Sequence, residues 1–371
     1  MLGRAVLFGI ALALAACTQQ VLLDDVWDAG AGDAPGAKDG PGGPPQGDAG
    51  CAYYAKSTYS ARAAQLVVAL DRSSAMEAAF GGSTREDAAV TAILNAVGTY
   101  QSHVQFGYEQ FPADSSDRAY ADCQRNSCCA GSVIVPPQIN AGLSMSGPLG
   151  CGSPQGNPCP APTYDTASNA ALAKVRDWLK KAPQPNDDRY ILLVTGSEPS
   201  CSSFPDSNSA CADALGAASD LGAFGVKIVV VAVGYQPDAN SCLVAISQTG
   251  SKQSLPPGTD ALYLASSTSS LNSALSSFVG AVARTACTLD ASEWPPPSQA
   301  QLQLSLGGSP VPKVDSPDQN GWSYEKNSNR TTITFTGTAC DQFLSSQQDL
   351  VTAYYTCSLC GGGNACPWLQ P

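Results

Sequence analysis

The residues of this chain best suited to chemistry stand in one short turn, Asp71-Arg72-Ser73-Ser74-Ala75-Met76, directly after the apolar run Leu66-Val67-Val68-Ala69-Leu70. A carboxylate and hydroxyls at that spacing are hard oxygen donors, the ligand type that Mg²⁺ takes. Elsewhere the sequence offers little to a catalyst. It holds one histidine, His103, between Ser102 and Val104 and with no catalytic motif around it. A Ser-His-Asp or Cys-His arrangement would lack any other histidine base. No Gly-x-Ser-x-Gly, phosphate loop or His-Glu-x-x-His occurs. Paired acids such as Asp187-Asp188 read as solvated turns. The expectation is a protein that is not an enzyme; a hydrolase with a carboxylate site is the catalytic alternative.

The cysteines carry a second kind of chemistry. There are fifteen, and setting Cys17 aside leaves fourteen, an even number. Cys17 follows one positive charge at Arg4 and a short apolar run from Ala5 to Ala16, the layout of an export signal. Leu14-Ala15-Ala16-Cys17 resembles the bacterial lipobox, which implies a signal peptide over residues 1–16 and a lipid on the Cys17 thiol. Even cysteine usage in an exported chain reads as a disulfide framework. The expected pairs are Cys201 with Cys211, Cys340 with Cys357, and Cys51 with Cys287, the last tying together the two ends of one domain. Cys357-Ser358-Leu359-Cys360 with Cys366 and Cys340 could instead form a four-thiolate zinc site, a pattern that carries more weight in the cytosol.

Several elements must position the Asp71 turn. Leu66–Leu70, Tyr190–Val194 and Ile228–Val233 are unbroken apolar runs, the pattern of strands buried on both faces. Helical patterns lie between them. Residues 84–100 open with Ser83 or Thr84 as a cap and Glu86 and Asp87 in the first turn. Residues 165–181 have Asp165 as cap, and Pro183 and Pro185 end them. Residues 211–224 and 268–285 are further helices, and Val104–Tyr108 alternates like an antiparallel edge strand. Repeated strand–helix units give an α/β fold, a doubly wound and mostly parallel sheet. Residues 113–160 interrupt this rhythm and read as a cysteine-rich surface insertion. Residues 17–50, rich in Gly, Pro, Ala and Asp, read as a disordered tether. Beyond Cys287, the strand patterns 301–306, 331–335 and 351–355 make residues 287–371 a small β-rich module, with disulfides as staples.

With the order strand, Asp-x-Ser turn, helix and later strands, residues 62–286 resemble the von Willebrand factor A (VWA) family; the whole layout also resembles lipoproteins of myxobacterial type. The resemblance implies a divalent-cation site built by five side chains from three loops. Asp71 and Ser73 stand at the first two ligand positions, and Ala75 stands where the family has a serine. The second loop reads Ala161-Pro162-Thr163 in place of Thr-Pro-Thr. The third reads Thr195-Gly196-Ser197-Glu198-Pro199, with Gly196 in place of an aspartate. Three of the five ligands are missing on this alignment. Mg²⁺ demands near-ideal octahedral oxygen geometry and sheds water reluctantly. The expectation is therefore no cofactor, tight Mg²⁺ binding being lost unless Thr163, Asp165 or Glu198 replaces the missing ligands.

The net charge of −12 offers no basic surface, which argues against nucleic acid as partner. The resemblance implies adhesion or protein–protein interaction. The expected protein is held at the cell envelope, on the outer membrane or extracellular face, by a lipid anchor and binds an unknown protein ligand. The alternative is an envelope scaffold with no ligand of its own.

Overall fold

The computed structural model describes residues 53–57, 63–112, 131, 133–150, 166–181, 188–201, 207–251, 255–291, 302–306, 309–316, 319–327, 330–345 and 351–355. Cys17, the tether 17–50, Cys51, Thr163, Asp165, Cys357, Cys360 and Cys366 lie outside the described residues. In chain order the strands of the α/β part are β2 (Ala64–Asp71), the short hairpin β3 (Ala79–Phe80) and β4 (Ser83–Thr84), β5 (Val104–Phe111), β6 (Val133–Gln138), β7 (Arg189–Thr195), β8 (Val226–Val233) and β9 (Leu262–Ala265). A short strand β1 (Tyr53–Ser57) precedes them. The helices are α1 (Arg85–Tyr100), α2 (Gly142–Leu149), α3 (Ser168–Lys181), α4 (Ser207–Ala223), α5 (Cys242–Gly250) and α6 (Thr268–Ala286).

Six strands form one sheet in the order β6-β5-β2-β7-β8-β9. All neighbours are parallel except β5 and β6. The chain leaves β2 toward β5 on one side and returns to β7 on the other, so the strand order reverses at β2. The apolar runs alternate between two cores. Leu66, Val68, Leu70, Leu192, Val194, Val229 and Val231 pack against α1, α2 and α6. Val67, Ala69, Ile191, Leu193, Ile228 and Val230 pack against α3, α4 and α5. Burial on both faces is what the unbroken runs imply, and the sheet is doubly wound.

α1 begins where Thr84 caps it. The Thr84 hydroxyl accepts from the Asp87 N–H at 3.0 Å, and the Asp87 carboxylate accepts from the Thr84 N–H at 3.4 Å, a reciprocal capping box.

Two expectations are corrected here. β5 is an interior parallel strand paired with β2, not an antiparallel edge. Its polar residues imitate a half-exposed alternation, yet Glu109 and Gln110 are buried. The edge is β6, whose Pro136 and Pro137 suit a position where one ladder side goes unpaired. A Cβ at Gly107 would lie 2.9 Å from Pro137 Cδ, so glycine permits that close approach. Residues 113–160 are therefore not wholly a surface insertion. Residues 133–149 supply β6 and α2, and Val135, Met145 and Leu149 enter the core.

The second module contains β10 (Thr288–Asp290), β11 (Leu302–Leu306), β12 (Ser309–Val311), β13 (Gly321–Asn327), β14 (Arg330–Thr336), the helix α7 (Thr338–Ser345) and β15 (Val351–Tyr355). Its two sheets run β1-β15-β11-β12 and β10-β14-β13. Residues 53–57 thus pair with the last strand, Tyr53 opposite Tyr355. The α/β domain is inserted between β1 and the rest of this module. A separate core forms around Trp322, Ile333, Phe335 and Phe343, with the Phe335 and Phe343 rings stacked at 4.6 Å.

The disulfides also differ from expectation. Cys211 of α4 pairs with Cys242 of α5, not with Cys201, their Cα atoms 5.6 Å apart. Cys287 pairs with Cys340 at a Cα separation of 5.4 Å, so neither Cys51–Cys287 nor Cys340–Cys357 forms. Spacing in sequence misleads here because α4 and α5 pack side by side, and α7 lies against the end of α6. The Cys340 thiol is thereby also withdrawn from any four-thiolate zinc site.

Candidate functional site

Ligands of open α/β sheets bind beyond the carboxyl ends of the strands, where the strand order reverses. Asp71 ends β2 at that point and is fully buried. One carboxylate oxygen, Oδ1, accepts the Ser73 N–H at 2.8 Å. The other, Oδ2, accepts the Thr195 hydroxyl at 2.7 Å and the Gly196 N–H at 3.4 Å. Burial pushes the Asp71 carboxyl above the ordinary carboxylate value, outweighing the bonds from Ser73, Thr195 and Gly196, which lower it. Asp71 therefore knits the β2 and β7 ends together, close to the turn-capping role its position allows.

The Ser73 hydroxyl lies 2.9 Å from the Thr166 hydroxyl, and Thr166 lies 2.6 Å from the Ser197 hydroxyl. Thr166 is held by an exchange with Ser200: its N–H donates to the Ser200 Oγ at 2.9 Å, and the Ser200 N–H donates to its carbonyl at 3.1 Å. Three loops thus converge through a chain of hydroxyls. Ser73 comes from the loop after β2, Thr166 from the approach to α3, and Ser197 from the loop after β7.

The sequence reading missed Thr166 and Ser197. Aligned on Pro162, that loop's ligand position falls on Ala161 and counts as lost, with Thr163 as a candidate replacement. The hydroxyl that meets Ser73 is Thr166, two residues before α3. Its signal was a hydroxyl at a helix start beside Asp165. Glu198, a candidate replacement ligand, is engaged elsewhere. Its carboxylate accepts the Tyr235 hydroxyl at 3.1 Å and the Leu243 N–H at 3.0 Å, at the first turn of α5. An acid there complements the helix dipole. Burial, followed by the nearby Glu198 charge, raises the Tyr235 hydroxyl.

Where the family has a second carboxylate, Gly196 leaves little room for one. A Cβ would lie 2.9 Å from Met76 Sδ, 3.1 Å from the Ala75 carbonyl oxygen and 3.2 Å from Arg85 Nη1. The side chain nearby is a cation. Arg85 donates from Nη1 to the Ala75 carbonyl at 3.1 Å and the Gly196 carbonyl at 2.9 Å, and from Nη2 to the Gly234 carbonyl at 2.5 Å. Among the described residues no group of three or more His, Cys, Asp or Glu could hold a metal ion.

Next to Asp71, Arg72 is buried and pairs with Glu86 at 2.8 Å, while its Nη1 donates to Gln110 at 2.7 Å. His103 takes no part in the site. It precedes β5, whose first residue aligns with Ala64, whereas Asp71 aligns with Phe111 at the other end. Eight-residue strands put roughly 23 Å between those ends. His103 Nε2 lies 2.6 Å from Asp341 of α7, at the junction with the second module. No described helix is long and apolar enough to cross a membrane.

No family model matches the chain, and no curated protein matches its sequence. Solved structures are similar in fold. The pilus adhesin SpaC of Lactobacillus rhamnosus GG is 15% identical, with 82% of this chain and 41% of the adhesin covered and a TM-score of 0.44. The PilB minor pilin of Streptococcus sanguinis is 12% identical over 60% of this chain and 62% of the pilin, with a TM-score of 0.42. The SpRpn10 VWA domain is 13% identical over 55% of this chain and 87% of that domain, with a TM-score of 0.37. The chain spans less than two thirds of the adhesin and of the pilin. The strand order and the Asp-x-Ser turn at its reversal point, rather than these likenesses, make the domain VWA-like.

Proposed function

We propose that this protein is a non-enzymatic adhesion or interaction module of the cell envelope, that it recognises a protein partner through the loops beyond β2 and β7, and that it does so without a bound metal ion. The observation that carries the reading is the convergence of Ser73, Thr166 and Ser197 at the reversal point of the sheet. That rim lies at the opposite end from the module holding both β1 and β15. A chain anchored through residues before β1 would present the rim outward.

The donor set does not fit a tightly held Mg²⁺. It has one carboxylate, and both of its oxygens already accept hydrogen bonds within the protein. The hydroxyls satisfy one another, and a guanidinium stands beside the position of the second carboxylate. The disulfides Cys211–Cys242 and Cys287–Cys340 support an oxidising compartment, in line with export and lipidation at Cys17.

Photo-crosslinking on intact cells tests the reading. A benzophenone side chain is placed at Ser74 or Ser200, both exposed on the rim, or at Lys313 of the second module. Discrete protein adducts from the rim positions alone, undiminished by EDTA, are expected. Adducts from Lys313 alone would refute the rim as the binding face.

A further inference from the structure

Arg85 stands at a position that local helix energetics disfavour. It is the first residue of α1, where the helix dipole presents partial positive charge and acids are preferred. Among the described residues no carboxylate pairs with its guanidinium. Its partners are three carbonyls, one from each of three loops: Ala75 after β2, Gly196 after β7 and Gly234 after β8. Parallel strands ending together leave carbonyl groups without ladder partners, and buried acceptors left so are costly. A planar guanidinium, with five N–H donors in a fixed fork, can answer several of them at once.

Two glycines leave room for it. A Cβ at Gly196 would lie 3.2 Å from Nη1. One at Gly234, whose φ is +61°, would lie 2.6 Å from Nε. The cradle around the guanidinium thus needs residues without side chains on two separate loops.

We infer that Arg85 is the positioning residue of the rim: its guanidinium ties the ends of β2, β7 and β8 into one preformed surface, so that the rim keeps its shape without a divalent ion. This rests on the metal-free reading above and extends it by naming the group that organises the loops. The absence of a side chain at residue 196 and the presence of Arg85 go together, since a Cβ there would crowd Met76 Sδ at 2.9 Å and the guanidinium Nη1 at 3.2 Å.

Amide hydrogen exchange on the full chain tests this without any partner. The reporters are Met76, bonded to the Ser73 carbonyl, Ser200, bonded to Thr166, and Gly234, bonded to Ala265. Arg85→Met should speed their exchange about tenfold or more while the interior amides of β7 keep their protection. Arg85→Lys, which offers a point charge in place of a fork, should fall between. Wild-type rates should be the same in Mg²⁺ and in EDTA. Unchanged reporter exchange in Arg85→Met overturns the inference, as does wild-type protection that rises with Mg²⁺ and falls with EDTA. Should Arg85→Met fail to fold, Arg85→Lys and the wild-type comparison decide in the same way. Loss of rim crosslinking with the exchange results as expected would refute the binding reading alone.

Discussion

Replacing Asp71 by asparagine probes the buried carboxylate on which the rim is built. Burial raises the folded-state Asp71 carboxyl above its ordinary value of 3.8. Between 3.8 and the raised value the folded chain holds a proton that the unfolded chain releases. Stability attributable to this group is therefore present at low pH and lost as pH rises through that window. The slope approaches about 1.4 kcal/mol per pH unit, the free energy of one proton. Above the window the charged group costs stability, because its hydrogen-bond partners Ser73, Thr195 and Gly196 bring no compensating cation. The asparagine amide cannot titrate. It keeps an acceptor for the Ser73 N–H but turns a donor toward Gly196, giving up a long 3.4 Å bond at a cost of about 1 kcal/mol. Asp71→Asn should be the less stable protein at pH 3 and should match or exceed the wild type at pH 7. Urea unfolding of both chains in EDTA from pH 3 to pH 8 gives the difference curve. A flat curve, or one in which the wild type gains on the variant as pH rises, would refute the reasoning.

Three further outcomes follow from the fold. Cys211→Ser combined with Cys242→Ser opens a 31-residue separation and should cost about 3.7 kcal/mol by the chain-entropy relation, read by calorimetric unfolding under non-reducing conditions. Gly250→Ala puts a Cβ 2.4 Å from the Ile228 Cβ, where helix α5 meets the sheet, and should cost about 1–3 kcal/mol in urea unfolding through overpacking. Removing residues 113–130 should leave cooperative thermal unfolding of the α/β domain intact. Removing 133–150 deletes β6 and the buried Val135, Met145 and Leu149, and should abolish it, as followed by circular dichroism.

The centre of the fold was legible because its strands are buried on both faces. Leu66–Leu70, Tyr190–Val194 and Ile228–Val233 each need two covering layers, and that need dictates a doubly wound sheet. Helix α1 was legible from its cap. β5 was misread because buried Glu109 and Gln110 break its apolar run. β6 was missed because prolines hide an edge strand. β1 was invisible: Tyr53–Ser57 is defined by a partner some three hundred residues away, and no local pattern announces such pairing. The disulfides failed for the same reason, since tertiary packing decides which thiols meet. At the site, Asp71 and Ser73 declared themselves through the turn after the first strand. Thr166 was overlooked because Pro162, rather than the helix start, set the alignment and put that ligand position at Ala161, five residues early. Arg85 carried a signal that went unread: a cation at the first helical position, against the dipole, needs a partner worth the penalty.

Titration calorimetry of Mg²⁺, Mn²⁺ and Ca²⁺ into the full chain, beside an Asp71→Ala variant, tests the central claim most directly. No saturable heat is expected from any of the three ions for either protein. Saturable binding to the wild type that disappears with Asp71→Ala would mean that Asp71, Ser73 and Thr166 hold an ion after all, and would contradict a rim organised by Arg85 alone.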